Sequence, residues 1–179
     1  NHFAKESLRF NDHYSGGNAT QAGLFSLFYG LPSNYWQAAL NTQKAPLLLN
    51  QLKEMNYNRK VIWSTNMRHP QVTKTLYLGI ENLRLNSAPG NDPILWDKYS
   101  TQESINFLRK QKKESPFFLH VFYHSLHAFC RTNSFKTHFT PSNQECRRFN
   151  INSKTDPLPF KNRYLNVAKT LDEMIKPLL

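Results

Sequence analysis

The chain has 179 residues, of which 39% are hydrophobic and 13% aromatic, enough for one domain with a buried core and too many for a disordered chain. Lysine and arginine outnumber aspartate and glutamate by 23 to 12, and the formal charge of +11 attracts phosphate-bearing partners unless the lysines are merely solvated helix ends. No apolar run approaches the roughly 20 residues that a membrane helix needs.

Asn1 is not an initiator, and His2 to Leu8 reads as the tail of a helix already under way, so the chain is expected to be cut from something longer. Phe10 to Tyr14 feeds a glycine-rich turn, Ser15-Gly-Gly-Asn-Ala-Thr20. Gly16 and Gly17 are expected to take strained dihedrals there, and Asn18 or Thr20 can cap the helix that follows. That helix is apolar at Ala22, Leu24, Phe25, Leu27 and Phe28, which suits the interior, and Gly30 fits the left-handed position at its end.

Pro32 to Trp36 is a turn, and Pro46 is placed to open a helix whose inner stripe is Leu48, Leu49, Leu52 and Met55. Asn56 can end it. Lys60 to Ser64 then reads as a buried strand, Leu83 to Leu85 as another short strand, and Asn86 to Asp97 as an irregular loop. Ser100-Thr-Gln-Glu103 has the form of a capping box opening a helix with Ile105, Phe107 and Leu108 facing inward. Phe117 to Tyr123 is the most strand-like run in the chain. This alternation predicts an α/β fold with a largely parallel sheet. Residues 128–159 are polar and too long for an ordinary connection, which marks an insertion or lid. Arg163 to Leu179 resumes as an amphipathic helix with Leu165, Ala168, Leu171, Met174, Ile175 and Leu178 inward.

A threonine hydroxyl at a helix N-terminus sits where unpaired N–H donors and the helix dipole attract anions. An ordinary helix cap is the competing reading of Thr20. His120, His124, His127 and Cys130 invite zinc, but on an extended strand His120 and His124 stand about 13 Å apart, too far to share an ion unless the strand turns. His120 is better read as a hydrogen-bonded core residue. Cys130 and Cys146 are the only two cysteines. A disulfide between them would close the long loop and contribute about 3 kcal/mol in an oxidising compartment. In a reducing one they would be free thiols.

Ser15-Gly-Gly-Asn-Ala-Thr20, with Gly-Leu-Phe-Ser-Leu-Phe-Tyr-Gly30 behind it, resembles the nucleophile turn of the sulfatase-like branch of the alkaline phosphatase superfamily. The resemblance is strongest to the periplasmic domain of YejM-type bacterial inner-membrane proteins. It continues through Ser115 to Phe129, similar to a strand and loop carrying an active-site histidine, and through Arg163 to Asp172. It implies a partial, alkaline-phosphatase-like three-layer α/β/α sandwich over residues 1–179. Thr20 would be both attacking group and metal ligand, with Asn18 and His127 binding substrate. The resemblance further implies a divalent metal ion (Mn, Mg, Zn or Ca), held incompletely here because the other ligands would precede Asn1 or follow Leu179. Membrane helices upstream and a periplasmic address at the bacterial inner membrane are implied as well.

Two functions follow from the resemblance. One is a hydrolase or transferase acting on phosphoester or sulfate-ester groups of an envelope lipid or glycan, inactive in this fragment alone. The other is a catalytically silent module that binds lipopolysaccharide or anionic phospholipid and regulates envelope assembly. Arg131, Lys136, Arg147 and Arg148 would supply a basic rim for either. A nucleic-acid-binding domain, the third reading of the charge, finds no recognisable motif in the chain, so no nucleic acid partner is expected.

Overall fold

The structure is a computed structural model that describes residues 2–68, 70–142, 146 and 152–179. Helix α1 (His2–Lys5) is followed by an irregular stretch, then α2 (Thr20–Tyr29), α3 (Trp36–Thr42), α4 (Leu47–Glu54) and strand β1 (Asn58–Trp63). A short α5 (Pro70–Thr73) and a long α6 (Pro93–Arg109) lead to strand β2 (Phe117–Phe122), and α7 (Leu158–Ile175) runs into a final 3-10 turn (Lys176–Leu178).

The strands pair in parallel, from Asn58 opposite Phe117 to Trp63 opposite Phe122. Parallel neighbours need a crossover, and the segment holding α5 and α6 provides it. The fold is therefore α/β. Its core gathers Phe25 and Phe28 from α2, Leu49 from α4, Val61 and Trp63 from β1, and Met67, Leu76 and Tyr77 from the connection. Within it the Trp63 indole N–H donates to the Tyr77 hydroxyl at 2.8 Å, so neither polar handle is left bare.

Helix α2 ends as expected: Gly30 has φ 67° and its N–H returns to the Ser26 carbonyl at 2.9 Å. The helix is interior on one side only. Phe25 and Phe28 are buried, whereas Leu27 is 55% exposed. Helix α4 likewise turns Leu49 inward, but Met55 lies past its last turn and is exposed, and Asn56 takes the left-handed conformation that stops it.

Three expectations fail. Helix α6 starts at Pro93, seven residues before the supposed capping box, because Asp92 caps it by accepting the Ile94 N–H at 2.9 Å and proline suits its first turn. Ser100 and Glu103 are interior to that helix and bind Arg84 instead. Residues 83–85 form no strand, since the Arg84 side chain takes the Trp63 carbonyl oxygen at the point where a ladder would continue. Helix α7 begins at Leu158, five residues before Arg163, and although the expected apolar positions are all half-buried, its deepest residues are Asn162, Arg163, Asn166 and Val167.

The reason is that the deepest positions of α7 face irregular backbone. Asn166 Oδ1 accepts the N–H groups of His138 and Phe139, both at 2.8 Å, and its Nδ2 donates to the Phe139 carbonyl at 3.0 Å. Fully buried Arg163 donates to the carbonyl oxygens of Phe129 and Thr132. Asp92 secures the same loop by accepting from the Thr132 hydroxyl and the Asn133 N–H. Burial works against its charge, but these hydrogen bonds with those from Ile94 and Ser134 hold its carboxyl below the ordinary range. A loop with no ladder of its own thus borrows donors and acceptors from two helices.

Candidate functional site

The glycines of the Ser15–Thr20 turn serve close approach rather than unusual dihedrals, since neither has a left-handed φ. A Cβ on Gly16 would stand 1.9 Å from the Ser26 Oγ, and one on Gly17 2.4 Å from the Ala22 Cβ. The turn therefore lies flat on the flank of α2. Ser15 closes it by donating its hydroxyl to the Gly17 carbonyl at 2.7 Å. Ala19 occupies the N-cap in extended conformation, and no side chain caps the helix, so the capping expected of Asn18 or Thr20 does not occur. Alanine offers no acceptor, which leaves the first-turn N–H groups without a side-chain partner.

A cleft of about 810 Å³ opens here, lined among others by His13, Tyr14, Ser15, Asn18, Thr20 and Phe122. Asn18 and Thr20 are both exposed in it. Phe122 is the last residue of β2, so the cleft lies by the carboxyl end of that strand, where open α/β sheets receive ligands.

His127 does not line the cleft; it sits five residues beyond Phe122 in the turn that leaves β2. Its ring lies 5.4 Å from that of His124, which in turn lies 6.0 Å from Trp96. Arg131 Nη2 stands 3.1 Å from His124 Nε2. A guanidinium only donates, so Nε2 accepts and the proton of a neutral ring is on Nδ1. Burial, aided by His127 and Arg131, lowers the His124 pKa and favours that neutral form. The buried Asp97 carboxylate accepts the His124 N–H at 2.8 Å and the Ser125 N–H at 2.9 Å. Sequence reasoning missed Asp97, whose only signal was an acid on the face shared with Ser100, Thr101 and Ser104.

A divalent cation asks for oxygen-rich or imidazole-rich donors, normally including carboxylates. The cleft lining offers hydroxyls, an amide and His13 but no carboxylate, and no cluster of three metal-ligating side chains occurs among the described residues. These residues do not by themselves fit the metal that sulfatases generally use. Cys130 cannot serve as a zinc ligand, because its sulfur is bonded to that of Cys146. His120 also differs from expectation: its Nε2 is buried with no hydrogen-bond partner among the described residues, and its ring packs against those of Phe28 and Tyr77. Of the expected basic rim, Arg131 engages His124, while Arg147 and Arg148 fall outside the described residues.

The family model described as sulfatase matches residues 1–179. An uncharacterized protein of Haemophilus influenzae is 32% identical over 120 residues, 66% of this chain and 20% of that protein. The inner membrane protein YejM of Salmonella typhimurium and that of Salmonella typhi are each 31% identical over 74 residues, 41% of this chain and 13% of theirs. The matched stretches thus cover a fifth or less of these relatives. With the model spanning every residue and a glycine turn presenting Thr20 beside a parallel α/β sheet, the chain belongs to the sulfatase family.

Proposed function

We propose that this chain is the nucleophile-bearing part of a sulfatase-family domain that hydrolyses or transfers phosphoester or sulfate-ester groups of an envelope lipid or glycan. The observation that carries the proposal is Thr20, exposed at the uncapped start of α2 in a cleft by the carboxyl end of β2. Unpaired N–H groups and the dipole of α2 favour an anionic ester there. Thr20 is the attacking group and Asn18 contacts the ester from the same turn; His127, which does not line that cleft, is given the ester oxygens or the leaving group on the family resemblance alone, from the turn after β2. The likeness to YejM supports an inner-membrane protein with this domain in the periplasm, anchored by helices elsewhere in the protein. A disulfide suits such an oxidising compartment.

The second reading, a silent module that binds lipopolysaccharide or anionic phospholipid, is favoured by the lack of any carboxylate in the cleft lining. One assay separates the two. The full-length protein is offered 4-nitrophenyl phosphate and 4-nitrophenyl sulfate, with and without a chelator. Turnover abolished by Thr20→Ala supports the enzyme; absence of turnover with retained lipid binding supports the silent module.

A further inference from the structure

We propose that Asp97 is the positioning residue of this site: its carboxylate sets the turn that presents His127 beside His124 and Arg131. Asp97 lies in the second turn of α6 and is fully buried. A carboxylate taken from water is costly unless its oxygens are hydrogen-bonded, and here each accepts one of two consecutive N–H groups, those of His124 and Ser125. The His124 carbonyl then accepts the Ala128 N–H at 3.0 Å, and the Ala128 carbonyl accepts the Arg131 N–H at 2.7 Å. His127 is therefore enclosed in a turn whose first residue is held by Asp97. One helical turn on, the Thr101 hydroxyl binds both the Asp97 carbonyl and the Tyr123 hydroxyl, which ties the preceding residue to the same helix.

An asparagine would satisfy one N–H and set its own NH₂ against the other, while an alanine would leave both N–H groups without acceptors. The role assigned to His127 rests on the proposed ester chemistry; the hold of Asp97 on the turn does not.

The test uses the full-length protein and the variants Asp97→Asn, His127→Ala, both together, and Ser104→Ala as a control for disturbance of α6. Hydrogen exchange of the peptides covering residues 120–131 is compared with that of the rest of the domain. Turnover of 4-nitrophenyl phosphate and sulfate is measured in parallel. Asp97→Asn is expected to speed exchange at 123–131 alone, and to lower kcat by about tenfold to a hundredfold with little change in KM. Added to His127→Ala it should cost little more, since both act through one imidazole. Ser104→Ala should leave kcat as it is. Faster exchange spread evenly over the domain, or losses from Asp97→Asn and His127→Ala that simply multiply, overturns the proposal. Should the wild type turn over neither ester, the ester reading fails, and the exchange result alone decides whether Asp97 holds the turn.

Discussion

One nitrogen of the Arg84 guanidinium, Nη2, lies 2.9 Å from a Glu103 carboxylate oxygen and 2.6 Å from the main-chain oxygen of Trp63. The end of β1 is thereby fastened to α6 through a fork that also reaches Ser100 and the Asn86 carbonyl. Arg84→Met should destabilise the domain by about 2 kcal/mol, because it strands Glu103 and the Trp63 carbonyl in a half-buried place. Arg84→Lys should recover only part of this, a single ammonium being unable to reach the same acceptors. Urea denaturation of the three proteins measures it, and equal midpoints would show the fork to be idle.

Burial pushes the His120 imidazole down to about 4 from an ordinary 6.5. The unfolded chain takes up the proton first as the pH falls. Stability should therefore be complete above about pH 6.5 and decline toward pH 4, by roughly 2 kcal/mol between pH 7 and pH 5. The lowered Asp92 pKa acts in the same direction but in a window below its ordinary 3.8, so the two effects separate. His120→Phe, which keeps the ring against Phe28 and Tyr77, should reduce the dependence and leave the part due to His124, whose lowered pKa acts in the same direction below pH 6.5. An unchanged slope in that variant would refute the assignment to His120.

Gly17→Ala places a methyl group 2.4 Å from the Ala22 Cβ and must lift the turn off α2. Displacing Thr20 in this way should lower the proposed ester turnover by about tenfold or more. Ala22→Gly in the same chain removes the obstructing atom and should restore much of the rate, at a helix cost of about 1 kcal/mol. Failure of the second substitution to rescue the first would mean that contact with Ala22 is not why residue 17 is glycine.

Asn166→Ala removes the acceptor shared by the N–H groups of His138 and Phe139 and the donor to the Phe139 carbonyl. Unmet buried groups of this kind cost about 1–3 kcal/mol each, and the loss should be felt in the loop first. Limited proteolysis is expected to cut within residues 131–142 sooner in the variant, while β1 and β2 stay protected. Cleavage spread evenly along the chain would speak against a local role.

Element identity was legible where local rules and packing agree. Gly30 ends α2, Asn56 ends α4, and the β-branched and aromatic residues of 60–64 and 117–123 mark the two strands, because no distant partner contradicts them. Misreadings arose where a local signal had a remote use. Ser100 and Glu103 have capping-box spacing, yet Arg84 claims both. Asp92-Pro93 is a good helix start hidden inside a run that otherwise reads as loop. On α7 hydrophobic periodicity found positions that are half-buried, but it could not register the deeper polar ones, Asn162, Arg163 and Asn166, whose partners include irregular backbone. The site divides in the same manner. Its glycine turn is contiguous and readable, whereas Asp97 acts on residues 27 and 28 positions away.

Helix α6 grips the carboxyl ends of both strands, β1 through Glu103 and Arg84 and β2 through Asp97 and Thr101. Any slide of this helix along its axis would carry the two strand exits with it, as a rail carries two brackets. Evolution or an engineer could then retune the spacing between those exits only through side-chain length at the four contacts, because the helix itself can move them solely in concert.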